Sequence, residues 1–219
     1  MRQIAESLLA LGLLIISSPF LLLIAFILLA SGDHQVLFFS ERVGRKGQQF
    51  RMVKFSTMEN VGLPEEKMGI TLTDDPRILP FGRWLRRTKL DELPQLVHVL
   101  TGKMAFVGPR PLLPAHFCLY TQPEQEIITS MRPGLTGIGS VFLRDEAALF
   151  RQAAMPPGKY YEQVILPLKA NLEQWYHKNR SLTVDIKILI STLIVLLKPE
   201  SKFPHALFPD VPVTGSLRR

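Results

Sequence analysis

No charged residue interrupts the chain from Ser7 to Gly32, whereas beyond it charged and apolar residues mix at short spacing. As one helix the apolar run extends roughly 36–39 Å at 1.5 Å per residue, more than a hydrocarbon core of about 30 Å. Ser17-Ser18-Pro19 sits near its middle. Proline removes a backbone donor and clashes with the carbonyl one turn back, so the pattern predicts a kink there. The serine hydroxyls are placed to bond the freed carbonyls. Three arrangements stay open on these grounds: a kinked span, a hairpin folded at Pro19 that enters and leaves by one face, and a cleaved signal peptide. Length and Glu6 count against the last. Arg2 alone precedes the run, while Arg42, Arg45, Lys46, Arg51 and Lys54 follow it, so the positive-inside rule places the main domain in the cytoplasm.

Downstream, Val36-Leu37-Phe38-Phe39 and Gln49 to Phe55 read as strands joined by a turn over Gly44 to Gly47. Residues 59–75 read as a loop, with Asp74-Asp75-Pro76 as a turn or cap. Ile78 to Arg87 sets Phe81, Trp84 and Leu85 among arginines, an amphipathic surface helix or an interfacial one. Leu93, Leu96, Val97 and Leu100 follow helical spacing, and Gly102 ends that helix. Met131 to Val141 is glycine-rich, with a turn at Arg132-Pro133-Gly134. Tyr160 to Asn179 reads as a helix interrupted at Pro167. Ile186, Leu189, Ile190, Leu193, Ile194 and Leu197 line one helical face, which suits either a core helix or one lying in the membrane interface. After Pro199 the proline-rich tail is expected to be loose.

The 219 residues allow one sizeable domain plus an anchor. Net charge is +7 and the isoelectric point about 9.7. A mean hydropathy of +0.15 is high for so basic a chain. Basic charge favours anionic partners: phosphorylated ligands, acidic headgroups or nucleic acid. The single cysteine, Cys118, excludes an intrachain disulfide framework. His34, His98, His116, His177 and His205 show no metal spacing, and no phosphate-cradling glycine loop is present.

The candidate chemistry sits in Leu90-Asp91-Glu92-Leu93-Pro94-Gln95. Pro94 marks a helix start between Thr88 and Leu93, since the first turn needs no amide donor. Asp91 and Glu92 then lie where the macrodipole favours ionised carboxylates. Alone, such a pair is ordinary capping. The cations around it change that: Arg83, Arg86, Arg87 and Lys89 upstream, Lys103 and Arg110 downstream. Pro109 and Pro111 restrict Arg110, and a pre-organised guanidinium suits bidentate phosphate binding. An ionised aspartate can attack phosphorus, and a neighbouring carboxylate can hold a divalent cation bridging to phosphate. Lys54 faces either a phosphate or solvent. The carboxylates among the cations repel a nucleic-acid backbone, so nucleic acid is not expected as a partner.

These residues fall into ordered motifs: Phe38-Phe39-Ser40-Glu41-Arg42-Val43-Gly44, Val53-Lys54-Phe55-Ser56-Thr57-Met58, Leu79-Pro80-Phe81-Gly82, the Asp91-Glu92 segment, Phe106-Val107-Gly108-Pro109-Arg110-Pro111-Leu112, Arg132-Pro133-Gly134-Leu135-Thr136-Gly137, and Ser181-Leu182-Thr183-Val184-Asp185-Ile186-Lys187-Ile188. With the apolar segment broken at Ser18-Pro19, the chain resembles the bacterial sugar transferases, monotopic phosphoglycosyl transferases, as far as about Leu197.

The resemblance implies an α+β architecture: a re-entrant membrane helix-break-helix over 1–32, a catalytic domain over 33–198 with a small β-hairpin and interfacial amphipathic helices, and the loose tail over 199–219. It implies a nucleotide diphosphate sugar, usually a UDP-sugar, and a polyprenyl phosphate as substrates, at the cytoplasmic face of the cell membrane. Asp91 would be the nucleophile, and Glu92 would hold Mg²⁺ with Asp91 or handle a proton. Lys54, Arg86 and Arg110 would bind phosphates or nucleotide. Ser18, Pro19, Pro109, Pro111 and Asp185 would give structural support. Lacking a multi-span N-terminal extension, the chain is expected to be the family's compact form. Ile138 to Arg144 departs from the family pattern, which leaves the sugar open. A non-catalytic basic scaffold on anionic lipid is the competing expectation.

Overall fold

The computed structural model describes residues 2–31, 35–59, 75–144, 146, 149–150 and 155–213. Most of the expected loop 59–75 lies outside them, as do His34, Asp74 and the terminal Arg218-Arg219. Helix α1 (Arg2–Ser31) is continuous through Pro19, so the expected helix-break-helix becomes one helix. The physical reason lies in the serines. Pro19 cannot donate to the Ile15 carbonyl, and Ser18 Oγ donates to that oxygen instead at 2.8 Å. Ser17 Oγ does the same for Leu13 at 2.7 Å. The freed acceptor is satisfied locally, and helical conformation persists.

Strands β1 (Leu37–Val43) and β2 (Gln49–Phe55) form an antiparallel hairpin that pairs Leu37 with Phe55 and Val43 with Gln49. A short 3-10 turn over Arg45–Gly47 joins them, with Lys46 and Gly47 at positive φ. Helix α2 (Pro80–Thr88) docks against the residues following β2: the Leu79 amide bonds the Thr57 carbonyl at 3.0 Å. A Cβ at Gly82 would lie 2.2 Å from that same oxygen, so only glycine permits the approach. Lys89, in left-handed conformation, turns the chain into a 3-10 segment over Leu90–Gln95, which runs into α3 (Leu96–Leu100). Gly102, at φ 75°, follows its end as expected. Val97 of the expected apolar stripe points outward, and His98 and Val99 are buried instead.

A parallel two-stranded pair was not anticipated: β3 (Ala105–Val107) beside β4 (Gly134–Thr136). Between them come α4 (Pro114–Phe117) and α5 (Gln122–Thr129), the latter opened by a Thr121/Glu124 capping box. After α6 (Ile138–Phe142) and α7 (Pro157–Tyr160), one π turn over Tyr161–Ile165 leads into α8 (Leu166–Asn179). That is the interruption expected next to Pro167. Helix α9 (Leu182–Leu197) begins at an N-cap serine, Ser181, whose hydroxyl accepts the Val184 amide.

As far as Val213 the tail differs from the loose segment expected over 199–219, and 214–219 lie outside the described residues. Residues Phe203–Leu207 form α10, and Phe208, Val211 and Val213 are buried in the main core with Ile138, Leu172, Tyr176 and Ile188. Their apolar side chains outweigh the loosening effect of the prolines.

Helix α9 turns its polar-interrupted face inward, through Asp185, Ile188, Ser191 and Val195. The apolar stripe points out: Leu193 is 63% and Leu197 84% exposed, with Ile186, Leu189 and Ile190 exposed beside them. Helix α1 likewise exposes Leu8, Ile15, Ile16, Leu22 and Phe26, and Trp84 on α2 is exposed. Apolar surface of this extent belongs against lipid or a partner.

Both ends of α1 hold the domain. Ala10 packs with Phe50, Met52, Val99 and Met104; Ile24 and Leu28 pack with Phe55 and Leu85. Arg2 pairs with Asp185 and Glu6, and Glu6 with Arg132. Tyr176 Oη donates to Asp185 Oδ1 at 2.6 Å, so Asp185 ties the start of α1 to α8.

The β3–β4 pair rests on backbone contact between glycines. A Cβ at Gly134 would lie 2.2 Å from the Gly108 nitrogen, and one at Gly137 would lie 2.2 Å from the Gly108 oxygen. Gly134→Ala is therefore expected to destabilise the fold by about 1–3 kcal/mol, as overpacking does, read as a lowered thermal midpoint in detergent; an unchanged midpoint contradicts this packing.

Candidate active site

Four elements converge on the Asp91-Glu92 pair. Lys54 comes from β2, opposite Phe38. Arg86 comes from the last turn of α2, Lys89 from the αL junction, and Arg110 from the segment after β3. Each is close enough to act on the carboxylates electrostatically. All five residues expected at the site, Lys54, Arg86, Asp91, Glu92 and Arg110, are thus brought together. Asp185, Ser18 and Pro19 lie elsewhere: Asp185 pairs with Arg2, and Ser18 Oγ donates to the carbonyl that Pro19 leaves without a donor. Pro109 and Pro111 are buried on either side of an exposed Arg110.

Neighbouring packing fixes the position of each group. Val53, next to Lys54, donates its amide to His98 Nε2 at 3.1 Å, so His98 is a satisfied core histidine. Phe55 on the other side of Lys54, and Leu90 just before Asp91, both pack in the cluster around Ile24 and Leu28 of α1. Arg86 Nη1 donates to Thr57 Oγ1 at 3.4 Å.

The two carboxylates have different surroundings. Glu92, 12% exposed, accepts from Arg110 Nη2 at 3.0 Å, and that arginine is 47% exposed. Burial alone would raise the Glu92 carboxyl, but the charges of Arg110, Lys89 and Lys54, with the Arg110 hydrogen bond, hold it down to about 2. Asp91 is 6% exposed, and its Oδ1 has no hydrogen-bond partner. Burial, then the Glu92 charge, pushes its pKa up, against the pull of Lys54, Lys89 and Arg86. Carboxylates whose environments push their pKa values apart are set for different tasks. Here Glu92 is a locked anion and Asp91 a desolvated carboxyl whose Oδ1 has no hydrogen-bond partner.

A small cleft beside the pair is lined by Arg42, Glu92, Gln95, Arg110, Pro111 and Gly134. Arg42 and Gln95 were not singled out as site residues in the sequence. The signal for Arg42 was period-two alternation: Phe38, Ser40 and Arg42 share the inward face of β1, and Arg42 Nε donates to Ser40 Oγ at 3.1 Å. Gln95, 2% exposed, closes the 3-10 segment and gave no pattern of its own.

Among the described residues no group of three or more His, Cys, Asp or Glu side chains is placed to hold a metal. The fit to Mg²⁺ is of another kind. This ion is commonly bound by one or two carboxylates, with substrate phosphates and water filling the other positions. The unpartnered Asp91 Oδ1 beside Glu92 offers that donor set.

A buried carboxylate pair ringed by cations lies in a chain that also exposes extensive apolar surface on α1 and α9, and such a ring of cations suits an anionic ligand. The family model for bacterial sugar transferases matches residues 1–199, and the chain belongs to that family. It is 31% identical to the UDP-galactose-lipid carrier transferase of Erwinia amylovora, over 89% of this chain and 40% of that protein. It is 30% identical to the undecaprenyl-phosphate galactose phosphotransferase of Salmonella typhimurium, over 87% and 39%. With the exopolysaccharide production protein ExoY of Sinorhizobium fredii, 30% identity extends over 86% of this chain and 81% of the relative. The chain thus spans about two fifths of the length of the first two relatives and about four fifths of the third.

Burial lowers the Lys54 pKa to about 8, opposed by Glu92 and Asp91 and reinforced by Arg42 and Arg110. The ammonium is charged below that pH and loses its proton above it. If Lys54 meets a substrate phosphate, kcat/KM falls as pH rises through about 8, because kcat/KM reports the free enzyme. Lys54→Arg should remove that alkaline limb; a limb unchanged in Lys54→Arg assigns it to another group.

Proposed function

We propose that the protein transfers a phosphosugar from a UDP-sugar to a polyprenyl phosphate at the cytoplasmic face of the cell membrane, as the first membrane step of polysaccharide or glycoconjugate assembly. The single observation that carries this reading is the division of labour between Asp91 and Glu92. The nucleophile's oxygen is desolvated and unpartnered, while its neighbour is ionised and held by the phosphate-binding arginine. The names of the relatives supply the substrate classes: a UDP-sugar donor and a lipid-phosphate acceptor.

The incoming diphosphate competes with Glu92 for the Arg110 guanidinium, and Lys54 and Arg86 add charge on the approach. An Asp91 oxygen attacks the β-phosphorus. The bond from that phosphorus to the bridging oxygen breaks, and UMP leaves with the electron pair. An acyl phosphate then links Asp91 to the sugar. A phosphate oxygen of the polyprenyl phosphate attacks the same phosphorus, and the Asp91 carboxylate departs, giving a polyprenyl diphosphosugar. Asp91 or Glu92 would hold Mg²⁺, which would supply neutralisation of phosphate charge when bound.

Asp91→Asn is expected to lower UMP release on the order of 10³-fold or more and to abolish the covalent sugar-phosphate adduct seen by intact-mass spectrometry. UMP release undiminished in that variant eliminates Asp91 as nucleophile. A panel of UDP-sugars in the same assay names the donor.

The membrane arrangement proposed keeps both ends of α1 at one face of the membrane, without a fold at Pro19. A helix of 30 residues is about 45 Å long, and a span would carry Arg2 to the far side of a core of about 30 Å. Arg2 and Glu6 instead pair with Asp185 and Arg132 of the domain, and Ile24 and Leu28 pack under Leu85. The apolar middle, with Ile15 and Ile16 exposed, is left to enter the leaflet. A cysteine at position 3 and one at position 45 should label from the same, cytoplasmic side in oriented vesicles; labelling from opposite sides establishes a span.

A further inference from the structure

Arg110, Lys54 and Arg86 all meet the donor in the proposed reaction, which leaves Lys89, two residues before Asp91, without a task. Among the described non-glycine residues only Lys46 and Lys89 have positive φ. Lys46 sits in the tight turn of the hairpin. Lys89 ends α2: its amide donates to the Arg86 carbonyl at 3.3 Å, and its own carbonyl accepts from the Glu92 amide at 3.2 Å. The left-handed residue thus turns the chain from α2 into the segment bearing the carboxylates. Glycine takes that conformation at a helix end without steric cost, and a lysine does not. The turn explains the positive φ and gives no reason for an ammonium. The Lys89 side chain is exposed, and Glu92, three residues on, is already paired with Arg110.

Its neighbours place Lys89 on the membrane-helix side of the site. Phe81, Leu85 and Leu90 pack with Ile24 and Leu28 of α1. Elsewhere on α2, Arg83, Trp84 and Arg87 are exposed, and the adjoining part of α1 exposes Leu22, Leu23 and Phe26. Tryptophan among arginines beside an apolar surface suits the headgroup level of a bilayer. The cleft beside Glu92 and Arg110 is formed by other elements, with Arg42 of the hairpin and Gly134 of β4 in its wall, and Lys89 does not line it. A nucleotide sugar comes from water and can enter by that cleft. A polyprenyl phosphate keeps its chain in lipid, so its phosphate has to arrive from the α1–α2 side.

We propose that Lys89 binds the phosphate of the lipid acceptor: its ammonium holds that group beside Asp91, while Arg110 serves the donor's diphosphate. A cation there also offsets the repulsion between the acceptor's phosphate and the phosphosugar it attacks. The assignment rests on the phosphosugar-transfer and membrane readings above.

Three measurements on the full-length protein in phosphatidylcholine nanodiscs test it: the thermal midpoint, the Kd for undecaprenyl phosphate by native mass spectrometry, and the rates at which the covalent adduct forms from a UDP-sugar and is discharged by undecaprenyl phosphate. Lys89→Gly suits the left-handed turn, so its midpoint should be no lower than the parent's. Its Kd should rise about tenfold, and discharge should slow about tenfold more than adduct formation. Lys89→Arg should stay within roughly threefold of the parent in both. Lys89→Asn, uncharged and tolerant of the turn, decides the matter if Lys89→Gly fails to fold. An unchanged Kd in the uncharged variant overturns the proposal, as does equal slowing of adduct formation and discharge. Displacement of undecaprenyl phosphate by phosphatidylglycerol at equal mole fraction also overturns it, by making Lys89 a general headgroup contact. If the parent releases no UMP with any UDP-sugar, the transfer reading fails, while the Kd comparison still decides whether Lys89 binds the lipid phosphate.

Discussion

Two adjacent carboxylates removed from water are the constraint around which this fold is arranged. Desolvating one ionised group is unfavourable, and desolvating two neighbours adds their mutual repulsion. Asp91 and Glu92 are tolerated because cations reach them from separate parts of the chain: Lys54 from the hairpin, Arg86 and Lys89 from the end of α2, and Arg110 from the segment after β3. The balance is uneven. Glu92 takes the direct ion pair, and Asp91 is left buried with an open lone pair. An arrangement optimised only for stability would pair both. Under the proposed reaction, a phosphorus centre or a metal ion at the unpaired one would relieve a cost already present in the empty protein.

The membrane helix is part of this site's foundation. Its second half packs under Phe55 and Leu90, which flank Lys54 and Asp91 in sequence, and its first half packs under Met52 and Val99. Lys54 and Asp91 thus stand on a surface that α1 shapes from below. The same helix exposes apolar side chains elsewhere, as does α9. In the proposed membrane arrangement, the position of α1 would therefore also set the position of Lys54 and Asp91.

Much of this was legible in the sequence, for reasons particular to each part. The hairpin, the amphipathic α2, the Gly102 stop and the interruption before Pro167 all follow from short-range rules. The five site residues were marked by motif and by charge crowding around Asp91-Glu92. Three features were not legible. Continuity of α1 past Pro19 depends on hydroxyl-to-carbonyl bonds whose effect composition does not rank against a break. The β3–β4 pairing joins three-residue strands far apart in sequence, too short for periodicity to register. The stripe on α9 was found correctly, but its direction was not. Hydrophobic spacing locates an apolar face without saying whether protein or lipid covers it, and here the inward face carries Asp185 and Ser191.

The stretch Ile138 to Arg144 departs from the family's usual pattern, and its placement limits what that departure changes. Ile138, Val141, Phe142 and Leu143 are buried in the helical core, so they alter packing rather than a surface a sugar meets. Arg144 has a structural task too: its guanidinium donates to the Val195 carbonyl, near the end of α9, and to the Arg87 carbonyl, at the end of α2. Both helices present unsatisfied carbonyls and a partial negative charge there, which a cation offsets. Since α2 leads through Lys89 directly into Asp91, Arg144 links the outward-facing α9 to the segment bearing the carboxylate pair.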